Sequence, residues 1–210
     1  MAYTVITHGY AVLALIADAL VLAALTGFLV ARTSPERRER WNAFRNGITP
    51  VSLHLAWIVA MLAMLGSLYF SQVVGLVPCE FCWFQRICMY PLTLLLGIAA
   101  IRGDFAIAKR YFLTMSIVGS LLAIYHYQLE HIPQPSVCGA QIPCDVAAFN
   151  IFGFISIPFL SMAAFLLITT LLLLSRTPEE DEGEDEDEDE DDVDEPAAHE
   201  TSDEAVPATA

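Results

Sequence analysis

Positive charge is scarce in this 210-residue sequence: one lysine and nine arginines stand against 25 acidic residues. No basic patch able to hold nucleic acid can be assembled from so few cations, and nucleic acid is excluded as a partner. The first 175 residues are short of charge of either sign, with 9 basic and 7 acidic side chains. That is too little to solvate a globular surface in a chain that is 56% hydrophobic with a mean hydropathy of +0.54, so several membrane spans are expected. No basic residue precedes the first apolar run and no small-residue cleavage site follows a basic start, so that run reads as a span and not as a signal peptide. The acidity is confined to the end of the chain, where 18 acidic residues and one basic residue follow from Arg176 onward. Its run Glu179–Glu195 has almost no apolar side chain to bury and is expected to be disordered and solvated. A basic partner or a cation is the functional alternative for this tail, and nothing in the sequence favours it.

Five apolar runs are present: Tyr10–Ala31, Val51–Val74, about Phe81–Ile101, Tyr111–Tyr127 and Ile151–Ser175. Each is near the length needed to cross about 30 Å of hydrocarbon, the fourth being slightly short. The fold class is therefore an all-α membrane protein. Asp18 inside the first run is either a functional membrane acid or, more plainly, a side chain hydrogen-bonded to a neighbouring helix. A polar connector with Arg32, Arg37, Arg38, Arg40 and Arg45 separates the first two runs. Pro91 and Pro158 within spans are tolerable where neighbouring helices satisfy the freed backbone groups. Because spans alternate, the connector, the loop at 102–110 and the tail share one side, which holds nine of the ten Lys/Arg. The positive-inside rule makes that side the cytoplasm, so the four cysteines Cys79, Cys82, Cys138 and Cys144 face outward, where disulfides persist. Arg86 alone breaks the pattern.

Cys79 and Cys82 sit three apart at the start of the third span, a spacing that serves a small disulfide or a metal. A helix N-terminus favours a thiolate, and Arg86, four residues after Cys82, adds a full positive charge on the same face. An arginine in a span costs about 2.5–3.5 kcal/mol at the centre and less near the interface, which argues for a role. It either pairs with a lipid headgroup or stabilises negative charge on a bound acceptor. Cys138 and Cys144, with five residues between them, form an exposed pair that can exchange with an incoming thiolate or simply staple the loop. All four thiols together could instead hold zinc. Cys88 falls on a different helix face and reads as a small buried hydrophobe.

In order along the chain, Pro78-Cys79-Glu80-Phe81-Cys82-Trp83-Phe84-Gln85-Arg86-Ile87, then Tyr125-His126-Tyr127, then Val137-Cys138 and Cys144-Asp145, then Phe152-Gly153-Phe154-Ile155-Ser156-Ile157-Pro158-Phe159-Leu160 resemble the DsbB/BdbC family of disulfide-bond formation proteins. The resemblance covers about Ser52–Leu174. It implies a four-transmembrane-helix bundle over 51–175, with an extra N-terminal transmembrane helix and basic connector over 1–50 and the acidic cytoplasmic tail over 176–210. It also implies an activity, protein-disulfide:quinone oxidoreduction in the cell membrane. An extracytoplasmic thioredoxin-fold dithiol oxidase of the DsbA type would be reoxidised by Cys138–Cys144. Electrons would pass to Cys79–Cys82 and on to a quinone of the membrane pool, menaquinone or ubiquinone in type. Arg86 matches the family's quinone-contacting arginine. His126 is the histidine best placed to match the one near the quinone, with hydrogen bonding at a helix end as its plainer reading. No metal is implied. The loop between Cys138 and Cys144 is shorter than in enterobacterial-type members and nearer the BdbC type, and the first span lies outside the family pattern. His131, the other candidate, lies beyond the membrane, and His8, His54 and His199 receive no role.

Two other classes remain open at this stage. A vitamin K epoxide reductase-like enzyme also joins cysteine pairs, a quinone and a helix bundle, but its Cys-x-x-Cys typically follows the loop cysteines, whereas here it comes first. A non-catalytic membrane protein stapled by disulfides or binding a metal is the other.

Overall fold

The computed structural model describes residues 2–132, 138 and 144–175; the acidic run expected to be disordered, Pro133, Pro135 and Pro143 lie outside the described residues. The described chain is helical, with no strand beyond a single bridge between Ile151 and Ile155. Among the described residues five helices are long and apolar enough to cross a membrane: α1 (Ala2–Ala31), α2 (Pro35–Val73), α3 (Glu80–Arg102), α4 (Phe105–His131) and α5 (Ile157–Leu174).

Helix boundaries depart from the hydropathy reading where local chemistry intervenes. The arginine-rich connector is mostly not a loop. Pro35, whose fixed φ suits a first helical turn, starts α2 directly after Ser34, and the helix continues through Pro50 into the apolar run. Asp104 Oδ1 accepts a 3.1 Å bond from the Ile107 amide, starting α4 well before Tyr111. The following π turn, Ala108–Phe112, carries Lys109 and Arg110, so the fourth span is not short. Conversely, α5 starts six residues later than the apolar run. Phe152 (φ 54°) and Gly153 (φ 83°) turn the chain back on itself there, closed by the Ile151–Ile155 bridge. Pro158 consequently lies in the first turn of α5, where its missing N–H leaves no bond unmade, and needs no help from neighbouring helices.

Helices α2, α3, α4 and α5 pack as a four-helix bundle, and α1 lies against α2 and α5. Lipid is as apolar as a leucine side chain, so close packing and interhelical hydrogen bonds must hold the helices together. The contacts have that character. Gly97 admits the Trp57 ring, which a Cβ would approach to 2.8 Å. Gly119 admits the fully buried Phe165 in the same way. Ser116 bonds Thr169 at 2.7 Å, and Thr93 reaches the Ala60 carbonyl at 3.2 Å. On α1 the buried face is Ala11, Ala14 and Ala17. Asp18, by contrast, makes no hydrogen bond or ion pair among the described residues, so the bond to a neighbouring helix expected for it is not formed.

The two ends of the bundle differ. At one, Arg45 Nε and Lys109 Nζ donate to the carbonyls of Leu174 and Ser175, meeting the negative end of the α5 dipole. At the other, α2 ends in a π turn, Tyr69–Val73, and the chain passes Gly75 (φ 80°) to the start of α3.

Gly119→Ala tests the α4–α5 contact. Alanine alone would favour the helix by about 1 kcal/mol. Its methyl runs into Phe165, which has no room to retreat, so the expected net effect is destabilisation of about 1–3 kcal/mol. Thermal unfolding in detergent reads this, and a variant more stable than the parent would contradict the packing.

Candidate active site

Cys79 is the N-cap of α3. Its backbone is extended (φ −73°, ψ 176°), and its sulfur accepts the Cys82 amide at 3.4 Å, the position a capping serine or aspartate oxygen would take. Capping places the two sulfurs together, with Cys82 Sγ 3.0 Å from Cys79 Sγ and both thiols free. Behind them, His126 Nε2 lies 3.5 Å from Cys79 Sγ. His126 is buried at 3% exposure, stacked on Phe81, and held at Nδ1 by the Gln85 side-chain amide at 3.2 Å. With that amide donating to Nδ1, the ring proton sits on Nε2 and points at the Cys79 sulfur.

The bond from the Cys82 thiol is the largest influence on Cys79, bringing its pKa down to about 4; burial opposes it, and His126 adds to the lowering. Cys79 is thus a thiolate at neutral pH, in keeping with a cysteine at a helix N-terminus.

Arg86, one turn beyond Cys82, is fixed to the end of α2. Its Nε donates to Ser67 Oγ at 2.9 Å, its Nη2 donates to the Ser67 carbonyl at 3.1 Å, and its guanidinium lies 5.5 Å from the Trp83 ring centroid. Both anchors leave it lining a cavity of about 440 Å³ together with Cys79, Cys82, Gln85 and His126. The rest of that wall is largely apolar.

Cys138 and Cys144 are joined in a disulfide with Cα atoms 5.9 Å apart. The pair was expected to be exposed. Instead it is buried, at 8% and 3% exposure, because it packs onto Cys79 with Phe81 and Cys82 alongside. All six residues singled out in the sequence thus gather at one end of the bundle. Since Cys138 and Cys144 are bonded to each other, a four-thiolate zinc set is not formed. The donor atoms of Cys79, Cys82 and His126 do lie within 4.8 Å of one another, a spacing that could hold a soft cation. Cys88 is only partly buried and packs against the core away from the other sulfurs.

Sequence reasoning overlooked three residues here. Gln85 orients His126, and its signal was a polar side chain one turn after Cys82. Ser67 holds Arg86 from another helix, which no local pattern reveals. Glu130, one turn after His126, also lines the cavity; the expected fourth span ended at Tyr127 and left it in the loop.

The sequence matches the family described as "Disulfide bond formation protein DsbB" over residues 50–175. The chain belongs to the DsbB family. It is 50% identical over 121 residues to disulfide bond formation protein C of Bacillus subtilis, covering 56% of this chain and 87% of that one. It is 48% identical over 126 residues to a probable disulfide formation protein of Oceanobacillus iheyensis, covering 58% and 86%. A probable disulfide formation protein of Coxiella burnetii is 44% identical over 128 residues, covering 59% and 86%. No solved structure matches the chain. Its five apolar helices and its family make it a multi-pass membrane protein, and α1 lies wholly outside the family match.

In the reduced protein, alkylation of Cys79 is expected to keep its rate from pH 7 down to about pH 5 and to fall as pH drops through about 4, where the thiolate is lost. Cys82→Ala removes the largest lowering influence and should move the midpoint up towards the ordinary thiol value; His126→Ala should move it less. Mapping the modified cysteine by mass spectrometry over this range checks both the midpoint and the order of the two variants.

Proposed function

We propose that the protein is a membrane thiol oxidase that reoxidises an extracytoplasmic thioredoxin-fold dithiol protein of the DsbA type and passes the electrons to a membrane quinone. The observation that carries this reading is the packing of the Cys138–Cys144 disulfide against Cys79 at the polar end of an apolar cavity. The names of the relatives, disulfide bond formation proteins, agree with the thiol half of the reaction.

A partner thiolate attacks Cys138–Cys144 to give a mixed disulfide, and the partner's second thiol resolves it, leaving the partner oxidised and the loop pair reduced. A loop thiolate then attacks the Cys79–Cys82 disulfide. One sulfur of that pair is attacked and the other leaves as the thiolate; the loop pair packs against Cys79 with Cys82 alongside. The second loop thiol then displaces the attacked sulfur, restoring Cys138–Cys144 and leaving Cys79 and Cys82 reduced.

The cavity suits a quinone, having a largely apolar wall and a cation at its polar end. A menaquinone- or ubiquinone-type acceptor held between Arg86 and the thiols would supply the two-electron, two-proton acceptance that closing Cys79–Cys82 requires. Arg86, pinned through Ser67, supplies positive charge where negative charge develops. His126 holds a proton at Nε2 beside the sulfur. Glu130, one turn away on the same helix, is the other cavity-lining group able to exchange protons. Nine of the ten Lys/Arg lie away from the cysteine end, so we assign the cysteines to the extracytoplasmic side and the tail to the cytoplasm.

Purified protein supplied with a reduced DsbA-type partner and a quinone should show quinone-dependent partner oxidation by absorbance. Cys79→Ser and Cys138→Ser are expected to abolish it, and Arg86→Gln to slow quinone reduction by about 10²-fold while leaving mixed-disulfide formation intact. Full turnover by Cys79→Ser would sink the relay. Labelling of an Asn150→Cys variant, at an exposed position between the loop disulfide and α5, by a membrane-impermeant maleimide in intact cells should succeed if the cysteine end is extracytoplasmic, and labelling only after permeabilisation would reverse the topology.

A further inference from the structure

The helix outside the family match is not a bystander. Of the cavity's apolar wall, a continuous strip comes from α1: Leu13, Ala14, Ile16, Ala17 and Leu20. Opposite stand Val59 and Leu62 of α2 and Leu160, Ala164 and Leu167 of α5. The thiols, Gln85, Arg86, His126 and Glu130 come from α3, its N-cap and α4, so the two sides of the cavity differ in chemistry. This α1 strip lies on the helix's inner side: Ala14 and Ala17 are buried in the core, while Leu13, Ile16 and Leu20 form the edge. Tyr10 fastens the helix at the polar end of the bundle. Its hydroxyl donates to the Leu62 carbonyl at 3.1 Å, and its ring occupies the space a Cβ on Gly66 would take, within 2.7 Å.

We propose that α1 forms the tail subsite of the acceptor, a hydrophobic wall against which the isoprenoid chain of a membrane quinone lies while the ring sits between Arg86 and the thiols. This rests on the quinone reading above. Continuity commits the surface to that occupant. The apolar strip opens directly onto the redox-active sulfurs, so whatever lies along it is joined to whatever sits at Arg86. A ligand with an oxidisable-reducible polar head and a long apolar tail meets both halves. α1 packs against α5 and against α2, where the Tyr10 ring fills the space at Gly66 and the Trp41 ring the space at Gly27, so it can close the cavity laterally while its outer face remains in lipid.

The test uses the full chain in nanodiscs and a quinone carrying a diazirine on its tail. Photo-crosslinking followed by peptide mapping should place adducts within Tyr10–Leu20 as well as on α2 or α5. Affinity for a long-tailed quinone and for a short-tailed one with the same ring is then measured by displacement of the probe. Ile16→Ala combined with Leu20→Ala, at positions about half exposed and so dispensable for helix packing, should weaken the long-tailed ligand about tenfold more than the short-tailed one. Leu22→Ala, on the outer face, should change neither. Adducts confined to α2–α5 with equal losses for both tail lengths would overturn the tail subsite alone. So would efficient α1 labelling by a diazirine phospholipid that excess quinone fails to displace. Failure of either quinone to bind the parent protein would remove the quinone reading and this proposal together.

Discussion

The sulfur of Cys79 accepts a backbone N–H of the first turn of α3, and the positions of the other reactive groups depend on that one bond. A capping residue has extended backbone and faces the open end of its helix, so Cys79 stands at the bundle's end with its sulfur over the positive pole of α3. Three residues on, Cys82 comes round to meet it at 3.0 Å, and one turn further Arg86 reaches the cavity. Serine would cap as well but could not exchange. On the proposed reading the same atom starts the helix, carries negative charge and reacts, and this joint use accounts for thiols set at a terminus and not in mid-span.

Around that terminus, the positioning groups come from three different helices. Arg86 is held by Ser67 on α2, in the turn before the π segment Tyr69–Val73 that ends the helix. π turns recur at functional sites, and this one re-aims the end of α2 towards α3. His126 is held by Gln85 of α3 but is carried by α4. In lipid, where apolar burial does not distinguish one helix neighbour from another, such polar links are a main source of register between helices. The glycine contacts at Gly97 and Gly119 let the helices come close enough for these short links to form.

Much of this was legible in the sequence because membrane chemistry is restrictive. Cations are so few that the position of Arg86 alone marked a site, and alternation of spans sufficed to gather four cysteines at one end. What escaped falls into two kinds. Helix boundaries at Pro35, Asp104 and Ile157 were missed because hydropathy records lipid contact, whereas capping and turn residues decide where a helix starts. Long-range partners were missed because nothing local points from Arg86 to Ser67, nineteen residues earlier, or from the Cys138–Cys144 loop back onto Cys79. Burial of that disulfide is the clearest case. A polar, proline-containing loop reads as exposed, but a disulfide is apolar and covers the sulfur at the head of α3.

The thiol oxidase proposed above would join reactants that arrive from different phases. A protein dithiol comes from water and cannot enter hydrocarbon; a quinone with a long apolar tail stays in the bilayer. The electron path therefore has to cross the boundary over the shortest covalent route available, and neither a site in mid-membrane nor one in a soluble domain would serve. Two adjoining cysteine pairs at a helix terminus meet this requirement. Cys138–Cys144 packs onto the helix terminus that carries Cys79 and Cys82, and on the proposed reading disulfide exchange would carry two electrons between the pairs without a free electron or a diffusing carrier. Burial of the outer pair then has a functional sense. A loop disulfide already seated on Cys79 needs no large closing motion before exchange, so the encounter with the partner, and not the internal transfer, becomes the step that depends on collision.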